Sequence, residues 1–172
     1  PSSVGKLGDF SCPRGEVMLS ETAFGQGATL VTPLAIARLT LALAQEGKVI
    51  EPYLVEMVRA PGGRVLARAR PREVGPAVGP ATAGAVAGMM RSVVEEGTGR
   101  VAQLRGIEVA GKTGSAENPH GEAHSWFTCF APADDPAVVV TVLVENAGAG
   151  SEAAAPIARE VLEHLLEREG IR

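Results

Sequence analysis

Gly106-Ile107-Glu108-Val109-Ala110-Gly111-Lys112-Thr113-Gly114-Ser115-Ala116-Glu117 satisfies two motifs at once, and they imply different folds. By letters, Gly106 through Thr113 fits G-x-x-x-x-G-K-T, the phosphate-binding loop. That loop needs a strand before its first glycine, a flexible interior and a helix opening at the lysine, so that the helix N-terminus can cradle phosphate. Here Ile107, Glu108, Val109 and Ala110 alternate as a strand does. Asn118-Pro119-His120-Gly121 follows, and its proline and glycine break a helix. The context therefore favours a strand from Ile107 to Ser115 with Lys112-Thr113-Gly114 on it. Only tight, magnesium-dependent ATP binding would revive the nucleotide reading.

Such a strand suits a particular chemistry. An accessible strand edge can pair with an extended peptide backbone. A lysine adds a fixed positive charge beside a reacting group or a substrate carboxylate. Glycine removes a side chain where a ligand must approach the backbone. A hydroxyl residue after it can bind a carboxylate while its backbone N–H faces a developing oxyanion. Taken alone, the triplet is a weak signal and reads more readily as a solvated strand lysine between turn glycines.

Outward from this stretch, two more strands are expected at Ser125 to Ala131 and Ala137 to Glu145. The link Pro132-Ala133-Asp134-Asp135-Pro136 makes them an antiparallel pair, with the two aspartates in turn chemistry. A glycine-rich loop leads to a final helix from about Glu152 to Arg168, whose face of Ile157, Val161, Leu162 and Leu165 is expected to pack on the sheet. Upstream, Thr32-Pro33 is a cap followed by a first-turn proline. The helix it opens, with Leu34, Ile36, Ala37, Leu39, Leu41 and Ala44, stops at Gly47 and is apolar on most sides, which predicts deep burial. Tyr53 to Val58 and Arg64 to Ala69 flank Pro61-Gly62-Gly63 as a hairpin. A second helix spans Ala81 to Glu96 and ends at Gly97-Thr98-Gly99, while residues 1 to 20 read as loop. Helices, then strands, then a helix predict an α+β fold with an antiparallel sheet packed by helices.

The totals agree with one domain over residues 1–172. Apolar residues make up 45% of the 172, and aromatic residues only 3%, so Ala, Val and Leu must fill the core. A net charge of −4 with scattered basic residues gives no footprint for nucleic acid. No apolar run reaches the length of a membrane span, and no signal peptide is present. The chain opens on Pro1 rather than Met, which predicts a piece of a longer protein whose anchor lies upstream.

Cys12 and Cys129 lack the short spacing of zinc or redox motifs and are expected as unpaired thiols. His120 and His124 stand four apart, but Glu122 occupies neither the H-E-x-x-H nor the H-x-x-E-H position, so a loop bordering a cleft is expected there and no metal. Glu95-Glu96 and Glu163 to Arg168 read as solvated helix faces, and Glu117 as a structural partner at the strand end.

The ordered set of motifs resembles the end of class B penicillin-binding proteins. Lys112-Thr113-Gly114 is a signature shared by penicillin-binding proteins and class A β-lactamases. It is followed by the aromatic strand His124-Ser125-Trp126-Phe127-Thr128-Cys129-Phe130-Ala131-Pro132, the apolar strand Val138 to Asn146, and Ala154-Ala155-Pro156-Ile157. It is preceded by Gly25-Gln26-Gly27, Val31-Thr32-Pro33-Leu34, Ala42 to Gly47, Pro52-Tyr53-Leu54-Val55 and Val94-Glu95-Glu96-Gly97-Thr98-Gly99-Arg100-Val101-Ala102. The similarity covers roughly residues 20 to 168.

This resemblance implies the C-terminal portion of the penicillin-binding protein and serine β-lactamase-like fold, with Lys112 on an accessible strand of a five-stranded sheet. It implies peptidoglycan cross-linking through a serine acyl-enzyme that β-lactams also acylate, and no cofactor. Lys112 and Thr113 would shape the nucleophile and carboxylate network, Gly114 would give clearance, and Ser115, where threonine is common, would supply a hydroxyl and an oxyanion N–H. The implied partners are peptidoglycan stem peptides, β-lactams, the upstream half of the same domain, and membrane proteins of cell elongation or division. The implied location is the outer face of the bacterial cytoplasmic membrane. The family's S-x-N motif occurs nowhere in the chain, and Ser3-Val4-Gly5-Lys6 fits S-x-x-K by letters only, with Gly5 and Gly8 against a helix. The chain alone is thus expected to be inactive. A β-lactam-sensing domain of the same fold and a non-catalytic structural remnant stay open at this point.

Overall fold

The computed structural model describes residues 20–21, 24–27 and 29–171. The loop expected over 1 to 20, Ser3 to Lys6 and Cys12 thus lie, but for Ser20, outside the described residues.

Helix α1, Pro33–Ala44, begins as its sequence dictates: the Thr32 Oγ1 accepts from the Ala35 N–H at 3.1 Å, with proline in the first turn. It ends at Gly47, which holds φ +90° and whose absent Cβ would lie 2.1 Å from the Val78 carbonyl oxygen. Strands β1, Lys48–Glu51, β2, Met57–Arg59, β3, Val65–Arg68, and β4, Arg72–Pro76, form two separate antiparallel ribbons, β1 with β4 and β2 with β3. The expected hairpin is real but shorter, since Tyr53 to Glu56 are outside the ladder. The β1–β4 ribbon was not expected: Lys48–Glu51 is short, and only the return of Arg72–Pro76 reveals it as a strand.

Helix α2, Pro80–Glu95, leads through a 3₁₀ turn at Arg100–Ala102 to an antiparallel sheet that has three strands among the described residues, not the five the resemblance implied. Its strands are β5, Ala110–Ala116, β6, His124–Ala131, and β7, Val138–Val144, in the order β5-β6-β7, and helix α3, Ala154–Arg168, closes the chain. β5 starts at Ala110 rather than at Ile107. Gly106 takes φ +79°, and the Glu108 carbonyl accepts from the Ala133 N–H at 2.9 Å, so Glu108 binds the β6–β7 turn and the ladder begins at Ala110.

Strand alternation divides the sheet into two faces. Phe127, Cys129, Ala131 and Val140 face α3 and join its Ala154, Ala155, Ala158, Leu162 and Leu166 in one buried cluster. Ala110 and Phe130 face the other way and meet Met90 of α2, with Leu43, Val86 and Val139 around them. The result is an α/β/α sandwich with α3 on one face and α1 and α2 on the other.

The expectation for α1 needs correction, and that for α3 holds for Leu162 and Leu165 but not for Ile157 and Val161. α1 is not deeply buried: only Thr40 and Ala42 are, while Leu34 and Leu39 are 54% and 53% exposed. Its inner side meets β1, β6, β7 and α2, and its outer side leaves Leu34 and Leu39 about half exposed. On α3 the buried stripe is Ala154, Ala158, Leu162 and Leu166, four apart, whereas Ile157 and Val161 are 44% and 41% exposed. Alanines let the helix axis approach the sheet, and that close approach chooses the face over the larger side chains.

The N-terminus of α3 has no cap from its own segment. Ser125 of β6, fully buried, supplies one: its Oγ accepts from the Ala154 N–H at 3.0 Å and donates to the Ala149 carbonyl at 2.9 Å.

Cys129 is a buried free thiol. Desolvation pushes it up from 9.0 to about 12, against the lowering effect of a hydrogen bond with the Val140 backbone. The unfolded thiol ionises first, so this group's contribution to stability is whole below pH 9.0 and is lost as pH climbs towards 12. Urea midpoints measured over that range should fall more steeply for the native chain than for Cys129→Val. Truncation of the α3 stripe, Leu162→Ala, should cost about 2–5 kcal/mol in the same titration, and Ile157→Ala well under half of that.

Candidate active site

β5 is an edge strand, paired on one side with β6 in unbroken register: Lys112 opposite Thr128, Thr113 opposite Phe127, Gly114 opposite Trp126, Ser115 opposite Ser125. Its outward groups can be located from their partners. The Lys112 Nζ donates to the Thr113 carbonyl at 2.7 Å, and the Gln26 Nε2 donates to the Ser115 carbonyl at 3.0 Å. In a strand the N–H and C=O of one residue share a side, so the Thr113 and Ser115 amides also face the open edge.

The Lys112 side chain stands on the α1/α2 face, above a chain of hydroxyls. Thr128 Oγ1 lies 2.7 Å from Thr40 Oγ1 on α1 and 2.7 Å from Thr141 Oγ1 on β7. These contacts tie α1 to the sheet directly beneath the lysine. Thr113 points to the opposite face, where its Oγ1 lies 2.7 Å from Thr98 Oγ1. Thr98 is delivered by a tight turn: a Cβ on Gly97 would lie 2.9 Å from the Val93 carbonyl oxygen, and one on Gly99 3.2 Å from it. The Gln103 Nε2 then caps the Val94 and Glu95 carbonyls at 2.9 and 3.0 Å, fixing the end of α2.

Three glycines make the strand fit. A Cβ on Gly111 would lie 2.7 Å from Phe127 Cζ and 3.1 Å from the Thr128 carbonyl oxygen. A Cβ on Gly114 would meet Trp126 Cβ at 3.2 Å. Beneath Gly114, a Cβ on Gly150 would lie 2.6 Å from the Gly114 oxygen and 2.4 Å from the Trp126 oxygen, so only glycine lets the loop before α3 lie against the strand backbone. The Gly150 N–H reaches Ser115 Oγ at 3.4 Å, which turns that hydroxyl towards the α3 side while the Ser115 amide faces the edge.

Lys112, Thr113, Gly114, Ser115 and Trp126 line a cavity of about 240 Å³ whose far wall is Phe24, Gln26, Val31 and Ile36. A second, almost wholly apolar cavity of about 430 Å³ begins at Lys112 and Thr128 and runs between α1 and α2 past Ile36, Leu39, Leu43, Met89 and Val93. The four residues picked from the sequence thus stand together on one accessible strand. Those missed are Gln26, Thr98, Thr128 and Trp126. Thr98 and Gln26 had a signal, each lying between glycines in a short motif, whereas Thr128 had none.

The phosphate-loop reading is answered by the same geometry, because Lys112 lies mid-strand and no helix begins before β6. The loop expected from His120 to His124 is shorter, since His124 opens β6, and none of its residues lines the cavity at β5: His124 Nδ1 accepts from the Asn146 N–H at 3.1 Å, and Asn118 Oδ1 from the His120 N–H at 2.9 Å. Glu117, expected as a structural partner, gives its N–H to Gln26 Oε1 at 3.3 Å.

An edge strand carrying lysine, hydroxyl and glycine in this order defines a class, and comparison with known proteins agrees. Residues 5–163 match the family described as the penicillin binding protein transpeptidase domain, and this chain belongs to that family. Peptidoglycan D,D-transpeptidase PbpA of Mycolicibacterium smegmatis is 35% identical over 163 residues, covering 88% of this chain and 32% of the relative. Peptidoglycan D,D-transpeptidase MrdA of Haemophilus influenzae is 37% identical over 165 residues, covering 84% and 25%. Penicillin-binding protein A of M. tuberculosis, solved as an imipenem acyl-enzyme complex, superposes with a TM-score of 0.86 at 33% identity, covering 94% of this chain and 36% of that one. The chain therefore spans about a quarter to a third of the length of these relatives, and it shares the α+β fold of class B penicillin-binding proteins.

Replacing Gly150 by alanine should disturb this site from behind. The new methyl group must push the loop off Gly114, which should cost about 1–3 kcal/mol, read as a lower urea midpoint. Amide resonances of Gly114 and Ser115 should shift while those of β7 do not.

Proposed function

We propose that this chain is the C-terminal part of a transpeptidase domain and supplies the lysine-threonine-glycine wall of a cleft in which peptidoglycan stem peptides are cross-linked. The observation that carries the proposal is the open β5 edge, where the Ser115 amide faces outward beside Lys112 and Gly114 has no side chain. A serine from the upstream half of the domain attacks the carbonyl carbon of the penultimate D-alanine. The Ser115 N–H receives the negative charge that develops on the carbonyl oxygen. The C–N bond then breaks, the terminal D-alanine leaves as the protonated amine, and an ester remains on the serine. An amine of a neighbouring stem attacks that ester and regenerates the hydroxyl. Lys112 supplies positive charge to the nucleophile's surroundings and the substrate carboxylate, Thr113 and Ser115, whose hydroxyls turn to the α3 side, contribute their edge-facing backbone groups, and Gly114 admits the substrate backbone.

The apolar trough between α1 and α2 supports the same reading. Leu39 and Met89 are exposed along it, and it ends at Lys112. It is the seat for the upstream half of the domain, and an element lying there would bring its nucleophile to the lysine. The location follows from the substrate: a stem-peptide cross-linking enzyme works at the outer face of the cytoplasmic membrane, alongside membrane proteins of elongation or division. β-Lactams, as acylating mimics of the donor, should leave a stable ester on the same serine.

Intact-mass measurement after penicillin treatment tests this. The longer protein should gain the mass of the drug and this chain should not. Label on this chain would move the nucleophile into it, with Ser3 the first residue to examine; label on neither would defeat the proposal.

A further inference from the structure

The open edge of β5 is already occupied. Its outward carbonyls at Thr113 and Ser115 accept from Lys112 Nζ and Gln26 Nε2, at 2.7 and 3.0 Å, and the Glu117 N–H reaches Gln26 Oε1 at 3.3 Å. The Gln26 carboxamide thus takes one acceptor and one donor from the edge, two of the groups that an added strand would use. It lies in the far wall of the cavity that Lys112, Gly114 and Trp126 line, so a ligand cannot fill that cavity against the edge without meeting it.

The segment that presents Gln26 can release it. Gly25 and Gly27 hold φ +84° and +71° on either side, and a Cβ on Gly25 would meet nothing within 4 Å. Among the described residues, the backbone here is held by the Gln26 N–H donating to the Glu21 carbonyl at 2.9 Å. Both side-chain bonds are solvent-exposed, so water replaces them readily and each is worth little net free energy.

We propose that Gln26 is a specificity-determining residue that stands in for the ligand: its carboxamide occupies the Ser115 and Glu117 rung in the empty cleft, and a peptide or β-lactam amide displaces it on binding. This rests on the cleft reading above. Gln26 therefore sets how much of the edge-pairing energy reaches the ligand, because each ligand bond to that rung replaces an existing one.

The test uses the full-length protein and a fluorescent penicillin, with stopped-flow separation of the binding constant K from the acylation rate k2. Gln26→Ala and Gln26→Met, the second keeping the side chain's length, should lower K about three- to tenfold with k2 unchanged. A K unchanged or raised in both variants overturns the inference, and so does a fall in k2, which would make Gln26 a support of the strand instead. Wild-type protein that takes no label overturns the cleft reading and this inference together; labelled wild type with unaltered variants overturns this inference alone.

Discussion

The contact on which the site depends is one backbone lying on another, Gly150 against Gly114. Around it Ser125 holds both the loop and the first turn of α3, and the Ala155 N–H returns to the Gly150 carbonyl at 2.9 Å. The strand that offers Lys112 on one face is thereby backed on the other by the start of a helix. A side chain at Gly150 would separate the two layers, because its Cβ would lie 2.6 Å from the Gly114 oxygen. The β5 edge is thus stiffened from behind, on the side away from Lys112.

The two faces of the sheet are built to different ends. The α3 face is dry and close-packed, with Phe127, Leu162 and Leu166 wholly out of solvent and alanines setting the spacing. The other face carries polar groups: Thr40, Thr128 and Thr141 run in line beneath Lys112, satisfying one another. One face holds the domain together, and the other gives up apolar packing near the lysine to keep that group accessible.

Much of this was readable in the residues, for identifiable reasons. Glycine and proline punctuation and strong periodicity placed α1, α2, β6 and β7 within a few residues, and the motif order gave the family. What misled was size: Ile157 and Val161 look like a core face until the alanine stripe beside them is seen to set the approach of helix to sheet. The apolar character of α1 suggested burial because a sequence shows what a surface is fit to meet, not what it meets. Lys112 to Ser115 could be named from the motif, but the direction of each group could not. Whether a side chain lies above the sheet, below it or at its edge is fixed by pairing with β6, and Gln26 reaches the strand from 89 residues away. No local pattern encodes such a distance.

The register of β5 on β6 also acts as its own proofreader. Moving the strand by one residue would exchange its faces. Lys112 would then enter the dry layer beside Phe127, where Gly111 now leaves no room even for a methyl group, and its charge would have no water and no partner. Thr113 would stand over the hydroxyl chain in place of the lysine. The mispaired sheet would be unstable, so the hydrophobic layer itself favours the register that leaves Lys112 exposed.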